Sequence, residues 1–150
     1  MIIRKKGPQQ QTIQIEEHFR ASREKVFKAW TDPESLKKWF LAEDNVVVQD
    51  VSLELSVGGH YEIKVIYPGY APTPISGEFM KIRIPETLEY SWHTPVLGEK
   101  KTKVEVHFSD LEKGSCIHLT HGEFATAEEM QLHIEGWKGC LTQLQTYLNT

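Results

Sequence analysis

Cysteine is scarce in this sequence. Cys116 and Cys140 are the only two, far apart and without the close spacing of a metal-binding pair. Their scarcity excludes a disulfide-stapled framework and suits a reducing compartment, with buried free thiols as the expectation. Long apolar runs are missing as well. No stretch approaches the roughly 18 apolar residues of a membrane-spanning helix. The N-terminal "MIIRKKGPQQQ" carries basic residues without an apolar run of secretory length. A cytoplasmic protein with no membrane partner is expected. Positive charge is in deficit: 17 Lys and Arg stand against 21 Asp and Glu, a net charge of −4. Such a balance argues against phosphate neutralisation, and so against a nucleic-acid partner. Catalytic signatures are also lacking. The sequence has no G-x-S-x-G elbow, phosphate loop, dinucleotide fingerprint or H-E-x-x-H, so no catalytic residue and no cofactor is assigned.

What remains is the composition of an ordinary globule, 39% hydrophobic and 25% charged over 150 residues. A chain of that length buries about 68–70% of its unfolded surface, enough for one full core. Residues 1–11 read as a flexible polar arm and 12–150 as one domain. "TIQIEEHF" alternates Ile13, Ile15 and Phe19 on one face, with Glu17 interrupting it. "ASREKVFKAW" follows, with Ser22 as N-cap and Val26, Phe27 and Trp30 at helical spacing. "TDPESLKKWF" restarts a second short helix, capped by Asp32, with Pro33 in the first helical position. From Asn45 to Phe124 the period is two, broken by turn residues, as in an antiparallel meander. "VSLELSVGGHYEIKVIY" is its clearest hairpin, turning at Gly58-Gly59. "ISGEFMKIRI", "TLEYSW", "VEVHF" and "IHLTH" each present one apolar face.

The last element is a long helix. Thr126 and Glu129 have the spacing of a capping box, and Met130, His133, Ile134, Trp137, Leu141, Leu144 and Leu148 fall within an arc of about 100°. The helix is expected over about 126–148. Interior glycines each cost a helix about 1 kcal/mol relative to alanine, yet Gly136 and Gly139 flank Trp137 in "HIEGWKGC". Gly136 lies on the flank of the buried stripe beside Cys140, where it can admit a close neighbour.

The order of strand, two short helices, six further strands and long C-terminal helix resembles the helix-grip architecture of the START-like, or SRPBCC, superfamily. The blocks "FRASREKVFKAWTDPESLKKWF", "LSVGGHYEIKV", "GEFMKIRIPETLEYSW", "KVEVHFSDLEKGSCIHLTHGEF" and "HIEGWKGCLTQLQTYL" resemble more narrowly the family homologous to the C-terminal domain of the activator of heat-shock protein 90 ATPase. The resemblance covers residues 12–148 and implies an α+β fold. A curved antiparallel sheet of about seven strands would wrap around the long C-terminal helix, with two short helices after the first strand. It also implies a cavity between helix and sheet for a small apolar or amphipathic molecule, and offers a chaperone partner and a stress-related role as further expectations.

The residues facing that space are Trp30, Trp39, Phe40, Tyr61, Ile63, Phe79, Tyr90, Trp92, Phe108, His121, Met130, His133, Trp137 and Leu141. Aromatic residues at strand and helix spacing are equally the makings of plain core. An empty cavity costs about 24 cal/mol per Å³, so about 300 Å³ of dry void would cost roughly 7 kcal/mol. Total stability is typically about 5–15 kcal/mol. Such a void should be filled, wetted or collapsed. No metal site is assigned: His118 and His121 of "HLTH" would point to opposite faces of a strand. His121 and His133 are candidate polar handles, or else core histidines with their hydrogen bonds satisfied. Glu17 is either a raised-pKa acid or a rim ion pair. Non-catalytic binding is the leading expectation, and a cyclase- or hydrolase-like enzyme using Glu17, His121 or His133 the alternative.

Overall fold

Alternation and capping set most of the elements. The computed structural model describes residues 1–41 and 45–149, so Thr150, the last residue of the expected domain, lies outside the described residues. One strand is additional to the sequence reading. β1 (Ile2–Lys6) lies in the stretch read as an N-terminal arm and pairs antiparallel with β2 (Thr12–Phe19). The sheet therefore has eight strands rather than about seven. Apart from Ile3 every β1 residue is exposed, so backbone pairing with β2, and not an apolar pattern, holds this edge in place.

The two short helices follow their caps. In α1 (Arg23–Thr31) the Ser22 hydroxyl accepts from the Lys25 amide at 3.3 Å. In α2 (Pro33–Trp39) the Asp32 carboxylate accepts from the Ser35 amide at 3.1 Å. Together they bury Val26, Phe27, Trp30, Leu36 and Trp39. β3 (Val47–Leu53) and β4 (His60–Ile66) form the expected hairpin. At its turn Gly58 has φ +85°, and a Cβ on Gly59 would fall 2.3 Å from the Glu54 carbonyl oxygen, so both positions require glycine.

β5 (Thr73–Arg83), β6 (Thr87–Trp92), β7 (Thr102–Leu111) and β8 (Gly114–Gly122) complete the sheet, with a 3-10 turn at Pro95–Leu97. The strand order is β1-β2-β8-β7-β6-β5-β4-β3, antiparallel throughout. β8 thus returns beside β2. α3 (Ala127–Leu148) starts where the capping box places it, with Thr126 Oγ1 accepting from the Glu129 amide at 3.1 Å. The reciprocal half of the box differs, because Glu129 Oε2 is buried without a hydrogen-bond partner.

One face of the sheet carries Ile13, Ile15, Leu88, Tyr90, Trp92, Val104, Val106, Phe108, Ile117, Leu119 and His121, all buried. Met130, His133, Ile134, Trp137, Leu141 and Leu144 of α3 are buried with them in the core. The architecture is the α+β helix grip.

Candidate functional site

The space enclosed by the grip divides into two unequal parts. The inner part lies beneath α1 and α2 and is walled by Trp30, Leu36, Trp39, Val51, Leu53, Tyr61, Ile63, Phe79 and Tyr90, together with Phe40 and Trp92. Its free volume is about 30 Å³. That admits a water molecule or two but no benzene, which needs about 150 Å³. Polar atoms here are paired: Trp30 Nε1 donates to Tyr90 Oη at 3.1 Å, Trp39 Nε1 to the Ala29 carbonyl at 2.9 Å, and Tyr61 Oη to the Ser91 carbonyl at 2.6 Å. Burial pushes the Tyr61 and Tyr90 phenols well above their ordinary range, so both stay neutral. The interior has collapsed around its aromatic rings.

The outer part is a cleft of about 690 Å³ at the rim. One wall is the first half of α3, with Leu132, His133, Glu135, Gly136, Trp137 and Cys140. Tyr67, Tyr70, Thr73 and Ile75, around the β4–β5 connection, face it. Trp92, Thr94, Pro95 and Val96 close a third side, and Phe40 and Leu41 the floor. Phe40 and Trp92, with ring centroids 6.2 Å apart, belong to both spaces and form the partition between them. Tyr70, Val96 and Leu132 are exposed at the mouth. A Cβ placed on Gly136 would meet nothing within 4 Å. No neighbour approaches closely, contrary to the reading of Gly136 as admitting one, and its missing side chain is open space in the cleft.

Of the residues expected to face ligand, Phe40, Trp92, His133 and Trp137 line the cleft. Trp30, Trp39, Tyr61, Ile63, Phe79 and Tyr90 surround the small inner void. Phe108, His121, Met130 and Leu141 line neither space and are buried core. Phe108 packs edge-on against Phe27 and Trp30, at 5.1 and 5.7 Å between centroids. Much of the cleft wall lies outside the sequence reading. Tyr70 and Thr73 lie in or beside a proline-rich loop, where periodicity is silent, while Tyr67 and Ile75 were read as strand residues without a place in the site. Leu132 carried a usable signal, an apolar side chain off the buried stripe of α3.

The two histidines form a closed network. Trp137 Nε1 donates to His121 Nδ1 at 3.0 Å, so the ring proton of neutral His121 sits on Nε2 and is donated to Thr102 Oγ1 at 2.7 Å. Thr102 then donates to the Trp92 carbonyl at 3.3 Å. Trp92 Nε1 donates to His133 Nε2 at 3.2 Å, which leaves the His133 Nδ1 proton for the Glu129 carbonyl at 2.7 Å. Burial, reinforced by each ring's polar neighbours being already paired, keeps these imidazoles uncharged. For His121 burial comes first and the nearby His133 second in holding the pKa well below 6.5; for His133 burial lowers it against an opposing pull from Glu129. Phe124, fully buried and given no site role in the sequence reading, packs 4.7 Å from each imidazole centroid.

Glu17 stands apart from this network. Its carboxylate lies 3.7 Å from the Met1 amine. Its strand partner is Ile117, whereas His121 pairs with Ile13, so about 13 Å of strand separates the acid from the histidine. Both cysteines are buried.

The sequence profile of the family described as Activator of Hsp90 ATPase homolog 1-like protein matches residues 20–149. No curated protein matches the chain. Solved structures do. Protein Ms6760 from Mycobacterium smegmatis superposes with a TM-score of 0.83 at 17% identity, over 99% of this chain and 96% of its own. Protein CV1439 from Chromobacterium violaceum gives 0.79 at 20% identity, over 91% and 95%. The AHSA1-like protein from Aeromonas hydrophila gives 0.76 at 25% identity, over 92% of each chain. No helix among the described residues is long and apolar enough to cross a membrane.

Proposed function

Since this chain belongs to the family of Activator of Hsp90 ATPase homolog 1-like proteins, we propose that it is a non-catalytic binding protein for a small apolar or amphipathic molecule, held in the rim cleft. The observation that carries this reading is the cleft itself. Its volume of about 690 Å³ falls in the range of small-molecule sites, about 300–1,000 Å³. Its walls are mostly aromatic and aliphatic, with Thr73, Thr94 and Glu135 as sparse polar groups. Both nitrogens of His133 are spent on Trp92 and Glu129, so this histidine contributes a ring surface rather than an acid or base. The same commitment in His121, and the distance of Glu17, weigh against the cyclase- or hydrolase-like alternative. Two buried cysteines far apart in the sequence suit action in the cytoplasm.

Trp92 and Trp137 border the cleft, so their emission reports occupancy. Titration with medium-chain fatty acids and with polycyclic aromatic compounds should give saturable quenching by at least one class. Gly136→Phe, which fills the cleft from a position with open space beside it, should weaken that binding by at least about tenfold while the fold persists. Saturation unaffected by Gly136→Phe would place the ligand elsewhere, and no saturation across both classes would remove the reading. A chaperone partner is the second reading, favoured by the family description and by the exposed Tyr70, Val96 and Leu132 at the mouth. Stimulation of a heat-shock protein 90 ATPase, lost in Leu132→Glu, would select it.

A further inference from the structure

The outer face of the sheet holds a donor cluster that no linear motif announces. Glu16 and His18 are two apart on β2, and Cys116 and His118 two apart on β8, so all four project from the side opposite the core. Register sets them square: Glu16 lies across from His118, and His18 across from Cys116. Opposed side chains on neighbouring strands have Cβ atoms about 4.5–5.5 Å apart, close enough for their tips to meet over one point. They do meet. Glu16 Oε1 is 2.9 Å from His118 Nε2, Cys116 Sγ is 3.9 Å from His118 Nδ1, and donor atoms of these three residues all lie within 4.8 Å of one another. His18 Nε2 stands 3.5 Å from the other Glu16 oxygen.

We propose that Glu16, Cys116 and His118, with His18 at the margin, bind a first-row divalent transition metal of the zinc type. Imidazole, thiolate and carboxylate together favour a borderline-soft ion over magnesium or calcium. Metal–ligand bonds of about 2.0–2.3 Å in a tetrahedron set donor atoms roughly 3.3–3.8 Å apart. Reaching that spacing from one of at most 4.8 Å requires the partly exposed Glu16 and His118 side chains to turn toward the Cys116 sulfur, with one His118 nitrogen as the ligand. Cys116 supplies the anchored donor, being buried beneath its neighbours. Beside Glu16 and His118 lies a hollow of about 150 Å³, bordered also by Arg4, Gln14 and Thr120, with room for a solvent ligand to the ion. His107, the other strand neighbour of His118, is engaged by Glu105 at 3.1 Å and Thr87 at 3.3 Å and lies outside the set.

Cobalt(II) titrated into the full chain, prepared without a histidine tag, tests the site. The expected result is saturation at one equivalent, tetrahedral-type visible bands and a thiolate-to-cobalt charge-transfer band, all reversed by zinc. Cys116→Ser should abolish the charge-transfer band, and His118→Asn, at an exposed position, should weaken cobalt binding by at least about tenfold. His107→Asn should leave the titration unchanged. No charge-transfer band with cobalt in excess, or a band that survives in both Cys116→Ser and His118→Asn, would overturn the proposal. If Cys116→Ser does not fold, the wild-type band together with the His118→Asn titration decides.

Discussion

The inner void and the rim cleft are walled by the same kinds of residue, yet one is closed to about 30 Å³ and the other stands open at about 690 Å³. The difference lies in what each can pack against. Beneath α1 and α2 the indoles of Trp30 and Trp39 find both ring partners and hydrogen-bond acceptors. A void there would be dry, and at about 24 cal/mol per Å³ a large one would consume most of the stability of a small domain. At the rim, water pays for the space: Tyr70, Val96 and Leu132 are exposed, and Gly136 withholds the side chain that would fill the gap. Hollow space survives in this fold where solvent can enter it.

Trp137 borders the cleft and packs against Trp30 of the closed interior, and offers the strongest way to break the comparison. It stacks on Trp30 at 5.9 Å, lies 5.7 Å from Trp92, and donates to His121. Trp137→Ala should cost about 3–5 kcal/mol in urea unfolding, including the penalty of leaving His121 Nδ1 without its donor. A cost below about 1 kcal/mol, with ligand binding lost, would mean that the ring serves the cleft alone and adds little to the core.

Acid probes the buried histidine network beside the cleft next. His121 and His133 stay neutral in the folded protein because burial lowers both pKa values, whereas in the unfolded chain they protonate near pH 6.5. Below about pH 6.5 the unfolded state therefore binds more protons, and stability falls as the pH is lowered. The slope should approach about 1.4 kcal/mol per pH unit for His121, with His133 adding a smaller share because Glu129 opposes its shift, and the full contribution present above that range. Urea unfolding at about pH 7 and about pH 5.5 measures it. A flat profile would mean that the network already opens to water.

The smallest effect sharpens the open region. Gly136→Ala places a methyl group in free space on a helix, so unfolding free energy should rise by up to about 1 kcal/mol. Ligand affinity should change little, because one methyl occupies a small part of the cleft. A loss of stability would show that the helix backbone at Gly136 is closely approached.

The sequence carried the local rules well. Ser22, Asp32 and Thr126 cap where they were expected to, and the inward rows of the strands are the buried ones. These features depend on neighbours a few residues away, which a linear reading contains. β1 was illegible because its order comes from pairing with β2 rather than from its own apolar pattern. The cleft was half legible. The α3 stripe gave Trp137 and His133, but Tyr70, Pro95 and Val96 reach it from connections without periodicity.

Composition and period thus determined that this chain would bury one aromatic-rich face of an antiparallel sheet under a capped C-terminal helix. Tertiary structure decided which rings close on each other and which stop short. It also decided that His121 would spend its nitrogens on Trp137 and Thr102, and that Glu16 would stand opposite His118. Side-chain direction follows from local backbone geometry, whereas register and the meeting of distant loops are fixed when the whole sheet folds.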